Sequence, residues 1–153
     1  MIKKLLLVAG LLATVPGFAG DAARSYITDE RLAANPGLPF SNGVLVGDTL
    51  YVAGHLGLDP ATGQAPADVK VEAQMVMDSV KKTVEKAGFS MNDLVSVTVY
   101  CTDLKLYDTF NATYRTYFNG QFPARAFIGA GSLLRGGHFE VQGVAVRPKA
   151  AKN

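Results

Sequence analysis

The sequence has little of what usually staples or arms a small domain. Cys101 is its one cysteine, so no intramolecular disulfide can form, and stability must come from packing or association. It has two histidines, His55 and His138, neither with a neighbour at ligand spacing, so no metal ion is expected. The glycines of Gly129-Ala130-Gly131 lack the third member of a dinucleotide fingerprint, and no helix is expected after them. A phosphate-binding Walker sequence, Gly-x-Ser-x-Gly and His-Glu-x-x-His are absent too. Hydride transfer, nucleotide hydrolysis and zinc proteolysis lose their support, and no cofactor is expected.

No apolar run is long enough to cross a bilayer. The longest, Leu5 to Val15, would make a helix of about 16 Å, against a hydrocarbon core of about 30 Å. It follows Lys3-Lys4 and precedes Pro16-Gly17-Phe18-Ala19, with small residues where a signal peptidase reads. Residues 1–19 are therefore expected to be a removable signal peptide. The mature protein would be periplasmic or secreted, with no membrane attachment after cleavage.

Charge of either sign is scarce. Lys and Arg number 15 against 13 Asp and Glu, and two of the bases, Lys3 and Lys4, fall in the leader. The mature chain is then balanced, with no basic cluster beyond Lys81-Lys82, which leaves no electrostatic footprint for nucleic acid.

What is present reads as one α+β domain. Residues 20–38 are small, polar and Pro-punctuated, an arm leading into a domain that spans 39–148, with a tail at 149–153. Two short apolar runs, Asn42 to Val46 and Thr49 to Ala53, flank Gly47-Asp48 as in a hairpin. After the turn-rich Leu58 to Gly63, apolar residues recur from Val69 through Ala73, Val76, Val80 and Val84 to Ala87 at helical steps. Asp68 can cap that helix and Gly88 can end it. Leu94 to Thr102 alternates as a strand, with Val95, Val97, Val99 and Cys101 on one face. Tyr107, Phe110, Tyr114 and Tyr117-Phe118 mark a second helix, whose aromatic stripe reads as core. Asn111-Ala112-Thr113 lies inside it, where its match to the glycosylation pattern reads as chance. Ala126 to Ala130 and Phe139 to Val146 read as two further strands around a Gly-rich connection. The predicted order is β-β-α-β-α-β-β, a mixed sheet with two helices on one face. The other face then needs a partner, and oligomerisation is the expected remedy.

Cys101 shares the apolar strand face, where a thiol is usually inert. The chemistry is sought instead in a charge pattern: downstream of Asp108 the only acid is Glu140, against Arg115, Arg125, Arg135, Arg147, Lys149 and Lys152. Brought together, Arg125 would offer a guanidinium fork for a carboxylate, and Glu140 would orient or deprotonate water. On composition alone the plainer reading is preferred, a structural Arg–Glu pair or two solvated edge residues, since structural ion pairs mimic functional ones.

Several stretches resemble the Rid family (RidA/YjgF, reactive intermediate deaminases). They are Pro39-Phe40-Ser41-Asn42-Gly43-Val44, Val46-Gly47-Asp48-Thr49-Leu50-Tyr51-Val52-Ala53-Gly54 and Leu58-Asp59-Pro60-Ala61-Thr62-Gly63. Val97-Thr98-Val99, Thr102-Asp103-Leu104, Asn111-Ala112-Thr113-Tyr114 and above all Phe122-Pro123-Ala124-Arg125 followed by Glu140 extend the likeness over about residues 36–148. The resemblance implies a chorismate-mutase-like fold, a homotrimer with clefts between subunits, and hydrolysis of 2-imino acids, formed from enamines, to 2-oxo acids and ammonia. It also implies that Arg125 binds the substrate carboxylate and that Glu140 positions the attacking water. Phe40, Ala53, Gly54 and Phe127 would line the substrate site. Phe40, Ala53 and Phe127 depart from the pattern, standing where the deaminases usually carry tyrosine, serine and cysteine. His55 replaces a frequent glutamine, and is either an auxiliary proton carrier or a solvated loop residue. The rival to the enzyme is a non-catalytic trimer binding small carboxylates or exposed apolar surfaces in the same cleft. Ribonuclease activity gains nothing from a balanced charge.

Overall fold

The computed structural model describes residues 23–148; the expected leader 1–19 and tail 149–153 lie outside the described residues. A six-stranded sheet runs in the order β1-β2-β3-β6-β4-β5, from strands β1 (Arg24–Ile27), β2 (Gly43–Val46), β3 (Thr49–Leu56), β4 (Leu94–Cys101), β5 (Ala124–Gly129) and β6 (Phe139–Val146). Only β4 and β5 are parallel; every other neighbouring pair is antiparallel. Helices α2 (Val69–Lys86) and α3 (Tyr107–Tyr114) cover one face, and a short α1 (Glu30–Ala34) follows β1.

Helix α2 forms as its punctuation predicts. The Asp68 carboxylate accepts from the amides of Lys70 and Val71. At the other end Gly88, at φ 77°, lets the Phe89 amide reach the Val84 carbonyl and its own amide reach Glu85. Its apolar stripe, Ala73, Val76, Met77, Val80 and Val84, is sealed against Leu50, Val52, Val97, Val99, Phe139 and Val141 of the sheet. Each buried Val or Leu side chain contributes about 1.5–3 kcal/mol, so this layer outweighs any local propensity. The β2–β3 hairpin turns at Gly47-Asp48, with Gly47 at φ 57°.

Two expectations need correction. The arm is not featureless: Arg24–Ile27 pairs with β2 as an edge strand, and Asp29 caps α1 while exchanging hydrogen bonds with Asn42. An exposed four-residue strand carries too little apolar alternation to be read locally; pairing with β2 makes it. In β4, Val95 does not share the face of Val97 and Val99. A bulge between Leu94 and Ser96 puts Leu94 in the core and leaves Val95 about half exposed.

The face away from the helices stays open. Tyr26, Val44, Tyr51 and Val144 stand opposite one another in a row across β1, β2, β3 and β6. Tyr26 and Tyr51 are more than half exposed.

Candidate functional site

Arg125 is the second residue of β5 and pairs with Val97, which is fully inside the helix-covered core. Paired residues share a face, so Arg125 points to the helix side. There its Nη2 donates to Asn111 Oδ1 at 2.8 Å. Its guanidinium lies 4.5 Å from the ring centre of Tyr114, and the rings of Phe127 and Tyr107 follow at 5.7 and 5.8 Å. A guanidinium tied at one nitrogen and walled by three rings is held in orientation, with donors left over for a ligand. It opens on a cavity of about 220 Å³ lined by Tyr107, Asn111, Tyr114, Arg115, Phe122 and Pro123. Burial pushes the Tyr114 hydroxyl up to about 12, against the opposing pull of Arg125, so it remains a neutral phenol.

Glu140 lies elsewhere. As the second residue of β6 it pairs with Tyr100 and Leu56, while its neighbours Phe139 and Val141 fill the core. Alternation therefore puts its carboxylate on the open face. The β3 strand is bulged beside it: three residues advance from Val52 to His55 while β6 advances two, from Gly143 to Val141. The extra residue belongs to Ala53-Gly54, and Glu140 occupies the space above Gly54, where a Cβ would overlap its Oε1. Partial burial raises the Glu140 carboxyl above its ordinary value.

Arg125 and Glu140 are thus not brought together within one protomer, and a structural Arg–Glu pair inside the chain is ruled out by the same geometry. Ala53 sits in the bulge with its amide donating to the Asn42 carbonyl at 2.9 Å, on the Glu140 side of the structure. Phe40 is about half exposed in the segment leading into β2. Phe127 belongs with Arg125: it pairs with Val99 and packs edge-on to Tyr107 and Phe110.

His55 is not the loop residue expected. It lies in β3 with 8% of its surface exposed and its Nε2 3.1 Å from Thr83 Oγ1 on α2. Burial lowers its pKa below 6.5. It fastens β3 to α2. Cys101 is buried, with Sγ directed to the Asp103 carbonyl, and burial raises its thiol, in keeping with an inert role. Asn111 was missed as a site residue. The signal was a polar side chain in an otherwise aromatic helical stripe; at 4% exposure, with Arg125 on its amide oxygen, it is a brace rather than a sugar acceptor.

A sequence profile of the family described as endoribonuclease L-PSP matches residues 30–147. The chain is a member of the Rid family. A bovine 2-iminobutanoate/2-iminopropanoate deaminase is 37% identical over 110 residues, covering 71% of this Rid protein and 80% of the relative. The Escherichia coli K12 enzyme of the same name is 38% identical over 112 residues, covering 71% and 88%. Among solved structures, the Escherichia coli YjgF gene product superposes with a TM-score of 0.68 at 37% identity, covering 72% of this chain and 89% of its own. Escherichia coli TdcF with bound serine gives 0.69 at 32% identity, covering 72% and 90%.

Proposed function

We propose that this Rid protein hydrolyses 2-imino acids to 2-oxo acids and ammonia in clefts between the subunits of a homotrimer. The observation that carries this reading is that Arg125 and Glu140 each sit in a shaped seat, yet on opposite faces of one sheet. Each protomer holds two half-sites, and a complete site needs Arg125 of one subunit facing Glu140 of another. The open apolar row from Tyr26 to Val144 supplies a surface such an assembly would cover. Relatives at 37% and 38% identity bearing the name 2-iminobutanoate/2-iminopropanoate deaminase support the reaction.

The chemistry asks little of the protein. A protonated C=N is already electrophilic, so fixing the carboxylate and one water supplies much of the rate. Arg125 takes the substrate carboxylate on its free donors. Glu140 accepts a proton from water as the oxygen adds to the imine carbon, giving a carbinolamine. Glu140 returns that proton to nitrogen, then accepts the hydroxyl proton as the C–N bond breaks. Ammonia leaves, the 2-oxo acid forms, and the carboxyl gives up its proton to the departing ammonia or to water. A carboxylate with a raised pKa is a stronger base than an exposed one. The side chains of Phe40 and Ala53 bring no hydroxyl, so water is oriented by Glu140 with less help, which slows or redirects the reaction. That lack is also what favours the rival, a trimer that binds small carboxylates without turning them over. The leader at 1–19 supports action outside the cytoplasm.

Imino acids generated in situ by an amino-acid oxidase test the proposal directly. Purified protein should accelerate imine loss, and Arg125→Ala should abolish the acceleration. A wild-type trimer that binds 2-oxo acids without hastening imine loss would establish the binder.

A further inference from the structure

Glu72 is an acid with no exposed surface in the first turns of α2, and the reaction outlined above makes no use of it. Its carboxylate leaves the helix for the start of β6. There Oε1 accepts from two successive backbone amides, those of His138 and Phe139, and Oε2 lies 2.7 Å from His138 Nδ1. In an extended strand, successive amides point to opposite sides. Two that converge on one oxygen mark the place where the loop stops and the strand begins. Just past β3, Gly57 lies close against the base of Glu72 on α2, where a Cβ would overlap its backbone carbonyl.

Glu140 is the next residue after those two amides. Strand side chains alternate with a period of two, so a slip of one residue at the start of β6 would turn Glu140 into the core and Phe139 out of it. From this geometry we infer that Glu72 is a positioning residue for Glu140: by clamping the His138 and Phe139 amides, it sets the register and direction in which β6 delivers the Glu140 carboxylate onto Gly54. Glu72 touches neither substrate nor water, and its catalytic consequence rests on the reading of Glu140 given above. The His138 ring, partly in solvent, hydrogen-bonds to the other carboxylate oxygen.

The test uses three substitutions in the whole protein, with two readouts. Glu72→Ala removes the clamp; Glu72→Asp keeps the charge but withdraws it from the amides; Glu72→Gln keeps an oxygen for both. NMR titration of the Glu140 carboxyl carbon should show its raised pKa falling toward the ordinary range in Glu72→Ala and Glu72→Asp, and staying raised in Glu72→Gln. On imino acids, kcat should drop at least tenfold in the first two with KM within about twofold, and Glu72→Gln should restore most of it. Should Glu72→Ala not fold, Glu72→Asp carries the comparison. An unchanged Glu140 titration in a folded Glu72→Asp protein overturns the inference, whatever happens to melting temperature. Wild-type protein without imine hydrolysis would sink the proposed reaction alone, and the Glu140 titration would still decide the positioning role.

Discussion

The Glu140 carboxylate occupies the space that a side chain on Gly54 would need. The β-bulge at Ala53-Gly54 and the absence of a Cβ together make the seat, so the acid is placed by a neighbour that contributes no functional group. Gly54→Ala should push the carboxylate off this seat and lower kcat on imino acids at least tenfold, corresponding to about 1.4 kcal/mol of transition-state stabilisation. Binding of a 2-oxo acid, which depends on Arg125, should change much less. Isothermal titration beside steady-state kinetics checks both.

Arg125→Lys keeps the charge and loses the planar fork, along with the bond to Asn111 and the stacking on Tyr114. We expect kcat/KM to fall at least tenfold, about 1.4 kcal/mol, and further in Arg125→Ala. Asn111→Ala should act in the same direction more weakly, because it frees the guanidinium to turn. Equal kcat/KM in wild type and Arg125→Lys would remove the carboxylate fork from the account.

The separation of Arg125 and Glu140 onto opposite faces gives a test that needs no structure. Arg125→Ala and Glu140→Gln should each be inactive alone. Unfolded together and refolded as mixed trimers, they should recover about a quarter of wild-type activity, since that share of randomly assembled interfaces joins an intact Arg125 to an intact Glu140. Sites complete within one subunit would recover nothing.

Burial raises the Glu140 carboxyl above 4.5 in the folded state. The fold therefore holds this proton more tightly than the unfolded chain does. Its stabilising contribution is full below the unfolded pKa and is lost as pH rises through the raised one. Activity runs the opposite way, since the base must be ionised. Glu140→Gln should thus raise the melting temperature slightly at neutral pH while lowering kcat, and wild-type kcat/KM should climb with pH through a midpoint above 4.5.

His55 has the reverse sign. Burial lowers its pKa below 6.5, so the fold disfavours the charged ring, and stability is lost as pH falls from 6.5 through the lowered value. His55→Gln should flatten the fall in melting temperature over that window, measured by differential scanning fluorimetry. An unaltered slope would show that the acid sensitivity lies elsewhere.

Sequence alone determined most of the architecture: helix α2 with both of its caps, the Gly47-Asp48 hairpin, the helix marked by Tyr107, Phe110 and Tyr114, and the strands at Leu94 to Cys101 and Phe139 to Val146. Those features are local, carried by periodicity and by residues whose backbone preferences act within a turn or two. The family motif also singled out Arg125 and Glu140. Only tertiary structure decided how they are disposed. Strand register fixes which face each side chain takes, and register depends on pairing between segments far apart in the chain. The β1 pairing, the bulges at Val95 and at Ala53-Gly54, the buried seat of His55 and the reach of Glu72 to the start of β6 all have the same origin. Each arises where two distant segments meet, and one-dimensional periodicity cannot report a contact whose second partner it does not contain.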